Sequence, residues 1–152
     1  MLEIERKYLI DKTKWRPSSH GEKIVQGYLS TNKERVVRVR IKGKMAYLTI
    51  KGNTQGITRA EFEYEIPVNE ALALLELCKY HPVEKIRYKE EHLGKLWEID
   101  VFVGLNSGLV LAEIELQDEK ETLELPHWIK EEVSSDKRYF NARLSQHPYS
   151  KW

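Results

Sequence analysis

One cysteine, Cys78, is all that 152 residues contain. That excludes an internal disulfide and any cysteine-rich zinc site. The five histidines, at positions 20, 81, 92, 127 and 147, are scattered beside turns and prolines and show no metal-ligand spacing. No apolar run approaches the length of a membrane span, and the opening Met-Leu-Glu-Ile-Glu is too charged for a signal peptide. There is no polybasic tract and the formal net charge is only +1, so composition gives no support to a nucleic-acid or membrane partner. No internal repeat or low-complexity segment is present. These absences leave a reduced, cytoplasmic protein forming one domain over residues 1–152, with a homodimer compatible with the sequence.

What is abundant is charge, at 32% of residues against 41% apolar, and it is laid out at period two. Glu3, Glu5 and Lys7 share one face of a predicted strand, with Leu2, Ile4 and Tyr8 on the other. Residues 23–30 form a second strand with Gln26 and Tyr28 on one side. Arg38, Arg40 and Lys42 oppose Val37, Val39 and Ile41; Tyr47, Thr49 and Lys51 oppose Ala46, Leu48 and Ile50. Arg59, Glu61, Glu63 and Glu65 oppose Ala60, Phe62, Tyr64 and Ile66. Lys85 and Arg87, then Glu98 and Asp100, then Glu113 and Glu115 continue the pattern in three later strands. One helix is predicted over roughly 70–80, capped by Asn69 and stopped by His81-Pro82. Residues 118–135 read as irregular, and Asp136 caps a short C-terminal helix running to about Leu144. Trp15, Trp97, Trp128 and Trp152 read as packing residues, and Cys78 as part of an apolar helix face.

Solvated strand faces in a sandwich also alternate in this way. Two details favour another geometry. The charged faces carry little Ser, Thr, Asn or Gln, and they are rich in arginine, whose planar fork suits phosphate. Eight short, mostly sequential strands can close into a barrel. With the charged faces inward, such a barrel is a tunnel lined by both signs, its apolar outside covered by helices and loops. Burying so many charges costs several kcal/mol per ion unless they are paired, hydrated or occupied. A metal-bound polyanion satisfies both signs, since carboxylates take a hard cation and bases take phosphate oxygens.

The residues that carry this pattern also resemble a known family. Glu3-Ile-Glu-Arg-Lys7 resembles the Glu-x-Glu-x-Lys signature of the CYTH superfamily, the triphosphate tunnel metalloenzymes. The resemblance continues in order through Gln26-Gly-Tyr-Leu29, Arg38-Val-Arg40, Thr49-Ile-Lys51, Arg59-Ala-Glu-Phe-Glu63, Glu84-Lys-Ile-Arg-Tyr88, Trp97-Glu-Ile-Asp-Val-Phe102 and Ala112-Glu-Ile-Glu115. The tail Glu132-Val-Ser-Ser-Asp-Lys-Arg-Tyr-Phe-Asn141 is similar to the family's C-terminal helix region. The chain resembles most the short bacterial members that act as inorganic triphosphatases.

The resemblance implies a mainly β fold, an eight-stranded antiparallel closed tunnel with a charged lumen and flanking helices outside. It implies a triphosphate substrate and Mg²⁺ or Mn²⁺ as cofactor. Lys7, Arg38, Arg40, Lys51, Lys85 and Arg87 would hold phosphate oxygens. Glu3, Glu5, Glu61, Glu63, Asp100, Glu113 and Glu115 would hold metal directly or through water. Lys85 and Arg87 would stabilise the leaving diphosphate, and Glu63 would position or activate water. Arg59, Glu65 and Glu98 are left between site and scaffold; Tyr28 and the C-terminal helix are placed at the tunnel mouth. The expected activity is hydrolysis of inorganic tripolyphosphate. A class IV adenylate cyclase, a nucleoside or thiamine triphosphatase, and a non-catalytic polyphosphate-binding module are the alternatives.

Overall fold

The computed structural model describes residues 1–152. Each alternating segment is a strand: β1 (Leu2–Ile10), β2 (Glu22–Ser30), β3 (Arg35–Lys42), β4 (Met45–Gly52), β5 (Thr58–Ile66), β6 (Val83–His92), β7 (Lys95–Val103) and β8 (Val110–Glu115). All pairings are antiparallel, in the order β5-β4-β3-β2-β6-β7-β8-β1, and β5 pairs again with β1 to close an eight-stranded barrel. Closure is short, with Leu2, Glu3 and Ile4 of β1 against Ala60, Arg59 and Thr58 of β5. The rest of that β1 edge is taken by a ninth strand, β9 (Ile129–Glu132), through Tyr8 and Ile10. Two backbone bonds mark the handover: Glu5 N–H donates to Ile57 (3.2 Å), and Lys7 C=O accepts from Val133 (2.8 Å).

The apolar faces of the strands point outward and are covered over most of the barrel, while Ile50, Phe62 and Tyr64 on β4 and β5 stay exposed. Tyr8, Trp97, Ile99, Ala112 and Ile114 lie beneath Trp15, Leu116 and Trp128. Trp97 packs edge-on against both Tyr8 and Trp128, at 5.6 and 5.9 Å between centroids. On the other side, helix α1 (Val68–Glu76) lays Ala71, Leu74 and Leu75 on Val39, Ala46 and Ile41. The approach is so close that a Cβ at Gly27 of β2 would lie 2.8 Å from Cys78 Sγ and 2.9 Å from Leu75 Cδ2. Any larger residue there requires the Cys78 and Leu75 side chains to shift.

Three local predictions are corrected. First, α1 starts and ends earlier than 70–80. Its N-cap is Pro67, whose carbonyl accepts from Ala71 (3.0 Å), and Asn69 makes no cap bond. Pro67 has a suitable φ of −61°, and starting two residues earlier brings Val68 into the cluster around Val39. The end tightens into bonds from Leu77 and Cys78 to the carbonyls three residues back, at 3.0 and 3.2 Å. Second, the stretch read as irregular contains β9, which has no alternation of its own because it serves only to complete β1's edge. Third, Asp136 does cap, accepting from Arg138 N–H at 3.1 Å, but the helix is split. A 3-10 turn at Lys137–Tyr139 is followed by extended Phe140 (φ −66°, ψ 133°) and then α2 (Asn141–Gln146). That break turns the Tyr139 carbonyl and the Asn141 side chain toward the barrel interior.

Candidate active site

The inward residues of four adjacent strands run from apolar to charged along the barrel axis. At one end lie Leu9, Val83, Phe102 and Leu111, packed with Val133, Tyr139 and Leu144 of the C-terminal segment. Next come Lys7, Lys85, Asp100 and Glu113, then Glu5, Arg87, Glu98 and Glu115. Exposure rises in the same direction, from 1% at Lys85 to 7% at Arg87 to an exposed Lys89. The C-terminal segment therefore stoppers one end of the lumen, and the other end is open. A cavity of about 370 Å³ at the open end is lined by Ser19, His20, Gly21, Glu22, Arg87 and Lys89.

Two charge networks are closed upon themselves. In the first, Asp100, fully buried, takes two bonds from Arg87 (Nε 2.8 Å, Nη2 2.9 Å) and an ion pair from Lys85 (2.8 Å). Arg87 also reaches Glu113 and Glu98, each at 3.4 Å, and Lys7 reaches Glu113 at 3.6 Å. Burial alone would raise the Asp100 carboxyl, yet Arg87 and Lys85 hold it below the usual range. Burial likewise opposes ionisation of Glu113, and Lys7 and Arg87 override it. The Lys85 ammonium is drawn down to about 7 by burial, in spite of Asp100.

The second network joins Lys51 to Glu3 (3.2 Å) and Glu61 (3.1 Å), with Arg59 on Glu3 at 3.4 Å. Although burial works against it, the Glu3 carboxyl is held at about 2 by Lys51 and Arg59. Beside it, Thr49 Oγ1 donates to Glu63 (3.0 Å) and accepts from Arg38 (3.1 Å), and Arg38 meets Glu63 at 3.4 Å. Arg59 and Glu98, left between site and scaffold by the sequence, thus belong to the lumen networks. Glu65 faces Tyr47 in register and is exposed.

A few lumen charges are not closed. Arg40 meets no carboxylate; its one side-chain bond donates from Nε to Gln26 Oε1 at 2.8 Å. Burial, then the neighbouring Arg38 and Arg87, lower its guanidinium to about 9. Arg38 Nε is buried without a partner. Glu5 and Glu115, directly opposite each other in the β1–β8 register, make no ion pair. Burial, then Glu113 and Glu3, push the Glu5 carboxyl up to about 8. Partial burial, Glu3 and Glu98 also raise Glu115. Glu98 and Glu113 are a second like-charged cross-strand pair. Like charges placed directly opposite destabilise a sheet. The carboxylates are spread along the wall, and no three form a ready-made metal cluster.

Sequence alternation brings Lys7, Arg38, Arg40, Lys51, Lys85, Arg87 and the seven acids to one interior, as strand parity requires. Gln26 and Thr49 share that parity, but a neutral amide and a hydroxyl carry no charge signal that marks them as site residues. Asn141 has no local signal; its side-chain oxygen accepts from Lys85 (3.0 Å) and Gln26 (3.1 Å), 56 and 115 residues away. Tyr28, also buried, accepts from Gln26 at 3.0 Å and sits deep in the lumen instead of at its mouth.

The comparisons agree with this architecture. The CYTH domain family profile matches residues 1–149. An inorganic triphosphatase from Acetivibrio thermocellus is 46% identical over 148 residues, covering 97% of this chain and 95% of that protein. An inorganic triphosphatase from Nitrosomonas europaea is 37% identical, covering 95% and 97%. A crystal structure of an inorganic triphosphatase superposes with a TM-score of 0.69 at 34% identity, over 94% of this chain and 93% of that one. A conserved hypothetical protein from Pyrococcus furiosus, at 19% identity and TM-score 0.57 over 78% and 80% of the two chains, shares the fold. The chain belongs to the CYTH domain family.

Proposed function

We propose that this lumen binds a triphosphate together with Mg²⁺ or Mn²⁺ and hydrolyses it, with inorganic tripolyphosphate as the preferred substrate. One observation carries the reading: incompletely matched bases, Arg40 with no carboxylate and Arg38 with an unpartnered Nε, share one interior with the unpaired acids Glu5 and Glu115. Arg38 and Arg40 lie on β3, four strands round the ring from β8, which carries Glu115. Glu115 stands beside Glu5 of β1. An anion alone would leave the acids opposed, and a cation alone would leave Arg40 unmatched. The names of the two relatives support the same chemistry.

The donor set suits a hard divalent ion, being all carboxylate. Glu5 and Glu115 are without a cation, and Glu3, Glu61 and Glu113 lie nearby on the same interior face. Spread carboxylates fit Mg²⁺ in particular, which keeps several waters and shares its coordination between one or two carboxylates and substrate phosphates. Once bound, the ion would neutralise phosphate charge and lower the pKa of a coordinated water. Asp100 takes another role, since its oxygens are committed to Lys85 and Arg87; it holds those two cations in place.

Lys7, Arg38, Arg40 and Lys51 grip the phosphate chain, with the Arg38 and Arg40 forks matched to its oxygens. Lys85 and Arg87 stand beside the bridging oxygen and stabilise the diphosphate that leaves. Glu63, fixed by Thr49 and Arg38, orients the attacking water. Water attacks a terminal phosphorus in line, the phosphoanhydride P–O bond breaks, and orthophosphate and diphosphate result.

The mouth favours this substrate over a nucleotide, because its cavity is lined without a single apolar side chain, which leaves no apolar pocket to bury a base. Pyrophosphate would leave some of the lumen bases unmatched, at a cost of a few kcal/mol. Phosphate release from tripolyphosphate, ATP and pyrophosphate, each with Mg²⁺, Mn²⁺ or excess EDTA, tests the reading. The highest kcat/KM is expected for tripolyphosphate, with none in EDTA. Preference for ATP with cyclic AMP as product would replace the reading with a cyclase.

A further inference from the structure

Arg40 and Lys85 are both oriented by an amide. Arg40, an obligate donor, fixes Gln26 Oε1 as its acceptor at 2.8 Å. The Gln26 amide nitrogen must then point the other way, where it donates to Tyr28 Oη (3.0 Å) and Asn141 Oδ1 (3.1 Å). Lys85, also a donor only, meets the same Asn141 oxygen at 3.0 Å. The two cations thus dictate the orientation of both amides. A few residues away, Lys7 Nζ donates to the Tyr139 carbonyl at 3.2 Å. The acceptors that the C-terminal segment offers to lumen cations are therefore all neutral.

We propose that Asn141, with Gln26, is a positioning residue: a neutral amide relay from the C-terminal segment aims Lys85 and Arg40 without adding negative charge beyond the Asp100 carboxylate that Lys85 already meets. The inference rests on the triphosphate reading above. A carboxylate at Asn141 would accept the same bonds and add a second negative charge beside Lys85, whereas one at Gln26 would keep the bond from Arg40 and lose both donated bonds. A hydrocarbon would keep the charge and lose the direction. Asn141 is suited to the task because the extended Phe140 and the packing of Tyr139 and Leu144 hold it over the closed end of the barrel. Losing it should leave the fold intact, since Lys85 retains Asp100 and Gln26 retains Tyr28.

The test compares Asn141→Leu, Asn141→Asp and Gln26→Leu with the wild type on tripolyphosphate, together with melting temperature and the NMR order of the Lys85 ammonium in metal-free, substrate-free protein at pH 6. Asn141→Leu should lower kcat/KM about 10- to 100-fold, the range for a hydrogen bond to a charged group, mainly in kcat. Its melting temperature should stay within a few degrees of wild type, and Lys85 should become more mobile. Asn141→Asp should instead raise KM while Lys85 stays ordered. Combining Asn141→Leu with Gln26→Leu should cost less than the product of the single losses, because both break one relay. If Asn141→Leu does not fold, Gln26→Leu decides alone, with the same loss expected. A kcat/KM within twofold of wild type in the folded leucine variant, or Lys85 equally ordered in both proteins, overturns the proposal. A wild type inactive on tripolyphosphate overturns the functional reading, and the NMR comparison then still decides whether Asn141 orients Lys85.

Discussion

The wall built by β6 and β7 and the wall built by β3 carry similar bases and treat them oppositely. On the first, Lys85 and Arg87 are matched by Asp100, Glu98 and Glu113, so their charge is largely answered within the protein. On the second, Arg40 has only a glutamine, and Arg38 keeps an unpartnered Nε. The matched wall gives the lumen its shape. The unmatched wall, with Glu5 and Glu115 across from it, leaves electrostatic work for a ligand to complete. Substitutions on the two walls should therefore separate stability from activity.

The largest effect is expected on the matched wall. Asp100→Asn leaves two buried cations with half their answer and should cost about 3–5 kcal/mol of stability, the range for breaking a buried pair. Urea denaturation measures it. A loss below 1 kcal/mol would mean that Lys85 and Arg87 find other partners. Activity should vanish with it, and restoring the fold with osmolyte should not restore the rate.

Glu5→Gln comes next and should divide the two properties. Turnover should fall at least about a hundredfold, by analogy with other groups that act only in the reacting complex. Stability of the metal-free protein should change with the opposite sign at high pH. Burial and then Glu113 raise the Glu5 carboxyl from 4.5 to about 8. Between those values the folded state binds more protons than the unfolded one, so wild-type stability falls as pH rises through the window. Glutamine removes that component. Melting curves in EDTA from pH 4.5 to 8 should therefore fall less steeply for the variant, and parallel curves would show that Glu5 ionises normally.

Arg40→Met on the unmatched wall should raise KM and lower kcat, together about tenfold to a hundredfold in kcat/KM for loss of charge-assisted bonds. It should leave the melting temperature unchanged or higher, because a half-buried cation without a carboxylate is exchanged for an apolar side chain of similar length. A large drop in melting temperature would place Arg40 in the scaffold. Glu115→Gln should be the mildest, because Glu115 is exposed and screened by water. A loss of a few fold in kcat/KM is expected, and one equal to that of Glu5→Gln would rank the two carboxylates together.

Much of this was legible in the chain because a strand has only two faces. Once Arg38, Arg40 and Lys51 alternate with Val39 and Ile50, barrel closure sends the charges inward as a set, and Glu3, Glu5, Glu113 and Glu115 follow by the same parity. The contacts within the lumen obey no such rule. Nothing local separates Arg87, held by Asp100 one strand away, from Arg40, which has no acid in reach. Likewise β9 was hidden, since a four-residue strand that completes another strand's edge needs no alternation of its own. Asn141 was hidden for a related reason: its partners Gln26 and Lys85 lie 115 and 56 residues away, and its position depends on a helix broken at Phe140.

The central claim is that the unmatched acids and the unmatched bases are satisfied jointly, by one cation and one triphosphate. Linkage then requires each ligand to tighten the other by the same factor. Calorimetric binding of diimidotriphosphate, whose P–N–P bridges resist hydrolysis, measures this directly in Mg²⁺ and in EDTA. Affinity at least about tenfold higher with Mg²⁺, or about 1.4 kcal/mol of coupling, is the predicted result. Equal affinity under the two conditions would mean that the acids Glu5 and Glu115 take no part in holding the substrate, and would contradict the claim.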